Sequence, residues 1–478
     1  LADVKRALGS VVSAPEVAER RSLPTALWAE ALGLSTLLGA VAVVDARGLN
    51  AGPNYDEGVY LASLDVLRHG GRLGRDLFAS QPPGFYALLE LIGSIAGTSV
   101  NAVRLGFLVV SLLGVMGAWL LGRELAGAIG GLLVAGVYAT SNALAAGAVV
   151  VEADEAAVAI AVLALAAFAV ATRRDNSVWA VAAGALAVAA ASVKLLVPPL
   201  LLGAIGLAFA GERRARRLAL AAAGGGAAAA VLALAYRHSL PAIWSGAVTF
   251  QVDRGHDVAA NWRTLRGVLD SHAVFIWLVA AGVVAAVLAV RDREALGLWL
   301  AVPASVLFLL SRPAVLEHHR VLPAAALALA AGVALARLPV RFAAAPMVLL
   351  IGAGLSQQWI RLHSSKPTPH YQTWAASQLR SRTDPSELVA TDMPIVAHLA
   401  NRRLPGQLVD TSLARFGAAS LTDAGVLRVL DKDRIRVVVA GRAFLLRSEL
   451  LRQLELRYRE VARLPEAVVY VRRASVSP

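Results

Sequence analysis

Residues 178–210 read VWAVAAGALAVAAASVKLLVPPLLLGAIGLAFA, an apolar block interrupted only by Lys194 and the pair Pro198-Pro199. A helix crosses a bilayer with about 20 apolar residues, so this block is too long for one crossing. Proline inside a helix removes a hydrogen bond and clashes with the preceding turn. The block therefore reads as a tight hairpin of two short helices, 178–192 and 195–210, with Lys194 at its tip. Outward from it, further apolar runs lie near 24–46, 102–122, 129–150, 155–172, 218–236, 272–290, 295–311, 320–337 and 342–359. Together they predict eleven spans.

The bulk numbers agree with a membrane class. Of 478 residues, 57% are hydrophobic and 17% charged, with a mean hydropathy of +0.62. That charge is too sparse to cover a soluble surface. The net charge of +13 would suggest nucleic acid in a soluble protein. Here the cations fall in short clusters between apolar runs, where they act as topology signals and contacts to anionic lipid. Cysteine is absent, which excludes disulfides, thiolate zinc sites and a Cys nucleophile. The first apolar run, 24–44, exceeds a signal-peptide core and reads as an anchored helix after a cytoplasmic tail, 1–23.

Charge sets the orientation. Basic clusters at Lys5, Arg6, Arg20 and Arg21, at Arg123, at Arg173-Arg174, at 213–217, at Arg291 with Arg293, and at Arg337 with Arg341 all fall on one side when the hairpin counts as two spans. That side is the cytoplasm. The short outer turns hold Lys194, Arg312 and Arg320. Trp28, Trp119, Trp179 and Trp359 sit near helix ends, as an interfacial belt or as ordinary core residues. The long loop 47–101, the acidic turn 151–155, the hairpin tip, the loop 238–271, the turn 312–320 and everything after about 361 then face outward. All polar features that can do chemistry share that face.

The first outer loop is the most informative. Asn54-Tyr55-Asp56-Glu57-Gly58 follows the first span, and adjacent carboxylates at a membrane surface are costly to keep without a purpose. Val59–Leu67 has the spacing of an interfacial helix. Arg72-Leu73-Gly74-Arg75-Asp76-Leu77-Phe78 follows, then Ser80-Gln81-Pro82-Pro83-Gly84. The prolines open a second apolar stretch, Phe85–Ala96, too short to span. By itself Asp56 is also readable as a solvated loop acid or as the N-cap of the 59–67 helix.

The combination of Asp56-Glu57 with Arg75-Asp76-Leu77-Phe78 and Gln81-Pro82-Pro83 resembles the GT-C-fold glycosyltransferases. The likeness is to bacterial relatives of the protein O-mannosyltransferases and of the lipid A aminoarabinose transferase (families 39 and 83), over about residues 24–340. It implies an all-α polytopic membrane domain (24–360) with about eleven spans and interfacial helices. It also implies inverting transfer of a hexosyl or pentosyl unit from a polyprenyl-phosphate sugar to a protein, lipid or glycan hydroxyl, outside the cytoplasmic membrane. In that family the first-loop Asp is the base, which maps to Asp56, with Glu57 beside it. Tyr55, Asp76 and Gln81 then support the loop. A second acidic position maps to Glu152-Ala153-Asp154-Glu155, with Asp154 or Glu155 as the better fits, for orienting the acceptor or, in some members, binding a metal; helix capping is the plainer account.

Donor phosphate contacts are expected from Lys194, Arg320, His319 and Arg254. A lone intramembrane cation such as Lys194 is a functional candidate, although it can also snorkel to headgroups. Glu317-His318-His319-Arg320-Val321-Leu322-Pro323 resembles the family's phosphate-facing element, with Val321 where an aromatic residue is common. Arg254 and His256 lie in a loop that also reads as ordinary solvated chain. No metal is expected, because adjacent histidines on an α-helix point apart, and no cofactor beyond the lipid-linked donor is implied. The main rival is a polytopic transporter or lipid-linked sugar flippase, which would show internal repeats and helices broken near the midplane.

From about 361 to 478 the composition changes to regular charge and short apolar runs. Apolar segments at 388–391, 408–410, 435–439 and 468–471 alternate with helical ones at 394–400, 422–430 and 446–457. That alternation predicts a small parallel α/β domain.

Overall fold

The computed structural model describes residues 16–210, 212–253, 255, 257–269, 293–338 and 340–473. The expected span 272–290 and the loop residues Arg254 and His256 lie outside the described residues.

The apolar runs form helices because Ala, Leu and Val carry no groups that compete for the backbone, and in lipid each peptide must satisfy itself. They are α1 (Glu16–Asp45), α4 (Val100–Ala139), α5 (Ala153–Arg173), α6 (Ser177–Val193), α7 (Arg214–Ala235), α8 (Arg293–Leu310), α9 (Val321–Ala336) and α10 (Val340–His363). Two amphipathic helices in the first loop, α2 (Tyr55–Arg68) and α3 (Pro83–Ala96), complete the bundle. The chain is a membrane protein: among the described residues five helices are long and apolar enough to cross a bilayer, and shorter apolar helices accompany them.

The hairpin read from the proline pair is present: α6 ends at Val193, and two short helices, Pro198–Leu201 and Gly203–Ala210, return. The run expected at 129–150 differs. Helix α4 doubles back at Gly127, whose φ of 77° only glycine adopts freely. Its second half stops at Ala139, and a separate short helix, Asn142–Gly147, follows. Helices α6 and α7 approach through Gly184 and Gly224; a Cβ on Gly224 would lie 2.8 Å from the Val181 carbonyl carbon. Small residues permit such close packing where lipid provides no hydrophobic drive.

The basic clusters meet at one end of the bundle. Glu294 accepts from both Arg173 and Arg337 at 2.6 Å, Glu30 pairs with Arg123 at 2.8 Å, and Glu124 pairs with Arg174. These contacts tie the middle of α1 and the bend of α4 to the ends of α5, α8 and α9.

The C-terminal domain carries α11 (His370–Arg382), α12 (Pro394–Leu399), α13 (Asp423–Lys432) and α14 (Ser448–Arg457). Its sheet contains β1 (Ala390–Thr391), β2 (Val437–Ala440), β3 (Tyr458–Leu464) and β4 (Ala467–Arg472), in the order β1-β2-β4-β3. The expected all-parallel sheet is corrected: only β1 and β2 are parallel, and β4 runs antiparallel to β2 and β3. The 408–410 segment is no strand, because Gly406–Leu408 forms a 3-10 turn. Strand β3 escaped the sequence reading because Arg459, Glu460 and Arg463 give an edge strand a polar, helix-like pattern.

The domain docks on α2. Gly58 lies where a Cβ would come within 2.7 Å of the Ile395 backbone nitrogen, and His398 Nδ1 meets Asp65 Oδ2 at 2.7 Å. The chemistry-bearing end of the membrane bundle is thus covered by the C-terminal domain.

Candidate active site

The site begins at the N-terminus of α2. Asn54 caps that helix: its side chain accepts from Glu57 N at 2.8 Å, and its own N–H donates to Glu57 Oε2 at 3.2 Å. This is a reciprocal capping box. Glu57 is 1% exposed and grips Arg104 in a two-pronged pair of 2.8 and 2.7 Å. Arg104 also donates to the carbonyls of Leu49 and Ala51. Glu57 is thereby committed to holding the loop to α4, and only Asp56 of the acidic pair is left facing the site.

Asp56 makes no hydrogen bond among the described residues. It belongs to a cluster with Glu152 and His318 whose ligating atoms lie within 4.8 Å of one another. Burial pushes the Asp56 carboxyl above the usual carboxylate range, while His318 and Lys194 pull it back. Burial likewise pushes Glu152 up to about 7, against the pull of His318. Asn54 Nδ2 donates to Glu152 Oε1 at 2.7 Å, so the cap and the cluster are one network.

Asp154, in the first turn of α5, pairs with Lys194 at 3.1 Å and lies 3.8 to 3.9 Å from the rings of His318 and His319. Glu155 is turned away. Successive helical residues point about 100° apart, so Asp154 and Glu155 cannot both face the cluster. Glu155 instead lies buried beside Ser111 and Tyr138. Glu152, which the sequence ranked behind Asp154 and Glu155, is the second carboxylate of the cluster.

Beside the cluster is a small cavity of about 30 Å³ lined by Gln81, Lys194, Gln251, Arg312 and His319. Gln81 is fixed by donating to Tyr60 OH at 2.8 Å. Gly84 packs on the end of α6, where a Cβ would sit 2.8 Å from the Ser192 carbonyl oxygen. This contact locks the Gln81-Pro82-Pro83-Gly84 turn to the Lys194 tip. Gly84→Ala is expected to cost about 1–3 kcal/mol through overpacking, read as a lower thermal midpoint of the purified protein in detergent. An unchanged midpoint would show that the contact relaxes freely.

The remaining sequence candidates fall elsewhere. Arg320 Nε donates to the Thr264 carbonyl at 2.6 Å, and the cavity holds Arg312 in its place. Tyr55 OH donates to Asp410 Oδ1 at 3.2 Å and accepts from Thr411 N at 2.9 Å, joining the loop to the C-terminal domain. Asp76 closes its own turn by accepting from Arg72 N at 3.0 Å. Arg254 is outside the described residues.

The divergence expected of His318 and His319 does not occur. They lie in a 3-10 turn, Glu317–Arg320, with rings 4.6 Å apart at 88°, and both approach Asp154. Among the described residues two sets have metal-ligand spacing: Asp154-His318-His319 and Asp56-Glu152-His318. Hydrogen bonding separates them. His319 Nδ1 accepts from Leu316 N at 3.0 Å, so in the neutral ring Nε2 carries the proton and has no lone pair for a metal. The His318 ring makes no such hydrogen bond among the described residues, and the second set suits a divalent ion.

Sequence reasoning missed Arg104 and Arg312. Arg104 sits in the first turn of an apolar helix, where an intramembrane charge is itself a signal. Arg312 was counted only as a topology charge.

The geometry can be set beside known proteins. A family model described as dolichyl-phosphate-mannose-protein mannosyltransferase matches residues 80–240. No curated protein matches the chain at a significant level. Among solved structures, ArnT from Cupriavidus metallidurans in the apo state superposes with a TM-score of 0.66 at 19% identity, covering 94% of this chain and 99% of that one. The same protein bound to undecaprenyl phosphate gives 0.66 at 18% identity, covering 94% and 98%. The Archaeoglobus fulgidus oligosaccharyltransferase in complex with Zn and sulfate gives 0.51 at 14% identity, covering 85% of this chain and 68% of that one. This chain has the GT-C fold of membrane glycosyltransferases.

Proposed function

We propose that the chain is an inverting glycosyltransferase that moves a sugar from a polyprenyl-phosphate donor to an acceptor hydroxyl at the outer face of the cytoplasmic membrane. The observation that carries this is the convergence of Asp56, Glu152, Asp154, Lys194 and His318 at one end of an apolar bundle, beside a cavity with two cations. The GT-C fold, and a neighbour of that fold holding undecaprenyl phosphate, support a lipid-linked donor.

The acceptor oxygen bonds to the anomeric carbon as the bond from that carbon to the phosphate oxygen breaks. The hydroxyl proton passes to Asp56, whose carboxylate has no hydrogen bond among the described residues, whereas Glu152 is bonded to Asn54 and Asp154 is paired with Lys194. A base works best with a pKa near the working pH, and burial moves Asp56 in that direction. The electron pair leaves on phosphate, a stable anion that needs cations rather than an acid. Lys194 and Arg312, which line the cavity beside the cluster, would supply that charge. A divalent ion, where bound, would be held by Asp56, Glu152 and His318 and would supply positive charge at the reacting centre.

The test uses undecaprenyl phosphate and the Lys194→Ala variant. Loss of a charge-assisted phosphate contact is expected to weaken binding about 10- to 100-fold. The variant also moves the pH profile. Asp56 works ionised and its folded pKa is raised, so activity climbs with pH through an acid limb above the usual Asp range. Lys194 favours the ionised form, so its removal shifts the limb to higher pH. Glu152 titrates in the same cluster, and the limb belongs to the coupled groups. Equal binding by both proteins with an unmoved limb would remove Lys194 from the donor site.

A further inference from the structure

A second cavity, of about 680 Å³, lies at the seam between the first loop and the C-terminal domain. Its walls are the 74–79 turn, the 242–246 helix and C-terminal residues from Gln407 to Lys432. The charge is of one sign: Arg75, Arg415, Arg428 and Lys432 line it, and no described lining residue is a carboxylate.

Each cation reaches the groove for a local reason. Gly425, Arg428, Val429 and Lys432 fall at helical spacing on α13 and share one face. The acids of that helix are engaged elsewhere: Asp423 by Arg447, and Asp431 by Arg457 and Arg472. Arg428 and Lys432 are exposed, with no ion-pair partner among the described residues. Arg75 is exposed and only loosely attached to Asp76, at 3.9 Å.

Arg415 forms the floor and is 4% exposed. Its guanidinium donates to the carbonyls of Gln407, Asp410 and Ser420 and lies 3.7 Å over the Phe78 ring. Carbonyls satisfy its N–H groups without cancelling its charge. The Asp410 carboxylate accepts from Tyr55 OH and Ser412 N and, lying nearby, offsets part of the Arg415 charge, so Arg75, Arg428 and Lys432 carry most of the groove's positive field. Ser245, Gln407, Ser420 and Thr422 add hydroxyl and amide groups to the lining, the usual partners of sugar hydroxyls.

The groove is wired to the catalytic loop. Arg415 bonds the Asp410 carbonyl, the Asp410 side chain bonds Tyr55, and Tyr55 precedes Asp56. We propose that this groove is the acceptor subsite and binds an acidic saccharide, whose carboxylate or phosphate groups meet Arg75, Arg415, Arg428 and Lys432 while its hydroxyl reaches Asp56. This rests on the transferase reading above.

The experiment is fluorescence-anisotropy binding to the purified full chain in detergent. The probes are a labelled oligoglucuronate, a phosphodiester-linked glucose oligomer and a neutral cello-oligosaccharide of equal length. At least one acidic probe is expected to bind about tenfold or more tighter than the neutral one, weakening with salt; which acidic probe wins separates carboxylate from phosphate. The double variant R428E/K432E, altered only at exposed helix positions, is expected to lose about tenfold of that affinity and to keep wild-type undecaprenyl phosphate binding. No preference for either acidic probe, or equal affinity in the double variant, overturns the proposal. So does charge-dependent binding only to phosphatidylglycerol vesicles, which would assign the groove to a lipid headgroup. Undecaprenyl phosphate binding in the same preparations keeps the two claims apart. Retained donor binding without acidic-probe binding defeats the groove alone. Acidic-probe binding without donor binding leaves an acidic-saccharide site but overturns its assignment as an acceptor subsite, together with the transferase reading.

Discussion

Asp56→Asn is expected to lower sugar transfer about 10²–10⁴-fold, the usual contribution of a positioned base, with donor binding retained. The substitution removes the proton acceptor while keeping the side-chain shape. It leaves the loop intact, because the fold does not depend on the Asp56 carboxylate. Asn54 supplies the helix cap, and Glu57 holds the Arg104 pair. Thermal midpoint and undecaprenyl phosphate binding should therefore match wild type while turnover falls. A variant that keeps wild-type turnover would move the base to Glu152 or Asp154.

Arg104→Met is expected to destabilise the protein by about 3–5 kcal/mol, the cost of stranding one partner of a buried pair. Glu57 would be left 1% exposed and unneutralised, and the carbonyls of Leu49 and Ala51 would lose their donor. The observable is a large drop in thermal midpoint, together with loss of donor binding as the Asp56 loop detaches. Glu57→Leu combined with Arg104→Met should cost less than the sum of the single changes, because no lone charge remains. A full sum would mean that the two residues act independently. A small Arg104→Met effect would show that water reaches the pair.

Much of this architecture is legible in the sequence. The apolar runs fix the helices, and Pro198-Pro199 marks the hairpin that sends Lys194 to the polar end. The amphipathic pattern after Asp56 places α2 across that end. The polar residues at helix ends are therefore readable as a group: Asp56, Asp154, Lys194 and His319 converge at one end of the bundle. Their phases are not. Asp154 and Glu155 are adjacent, and only the rotation of α5, set by tertiary packing, decides which one faces inward. Arg312 and Arg320 flank the same turn, and the path of that turn decides which enters the cavity. Adjacent histidines diverge on an α-helix but not in the tighter 3-10 turn found here. In the C-terminal domain, the polar edge strand β3 hid the antiparallel half of the sheet.

The measurement that bears most directly on the central claim is sugar transfer and sugar release from a panel of synthetic polyprenyl-phosphate sugars, run with wild type and Asp56→Asn in parallel. The predicted result is turnover of at least one donor by wild type, with inverted anomeric configuration and with loss in the variant. Donor binding by both proteins with no turnover of any donor would contradict a transferase and favour a carrier of lipid-linked sugars.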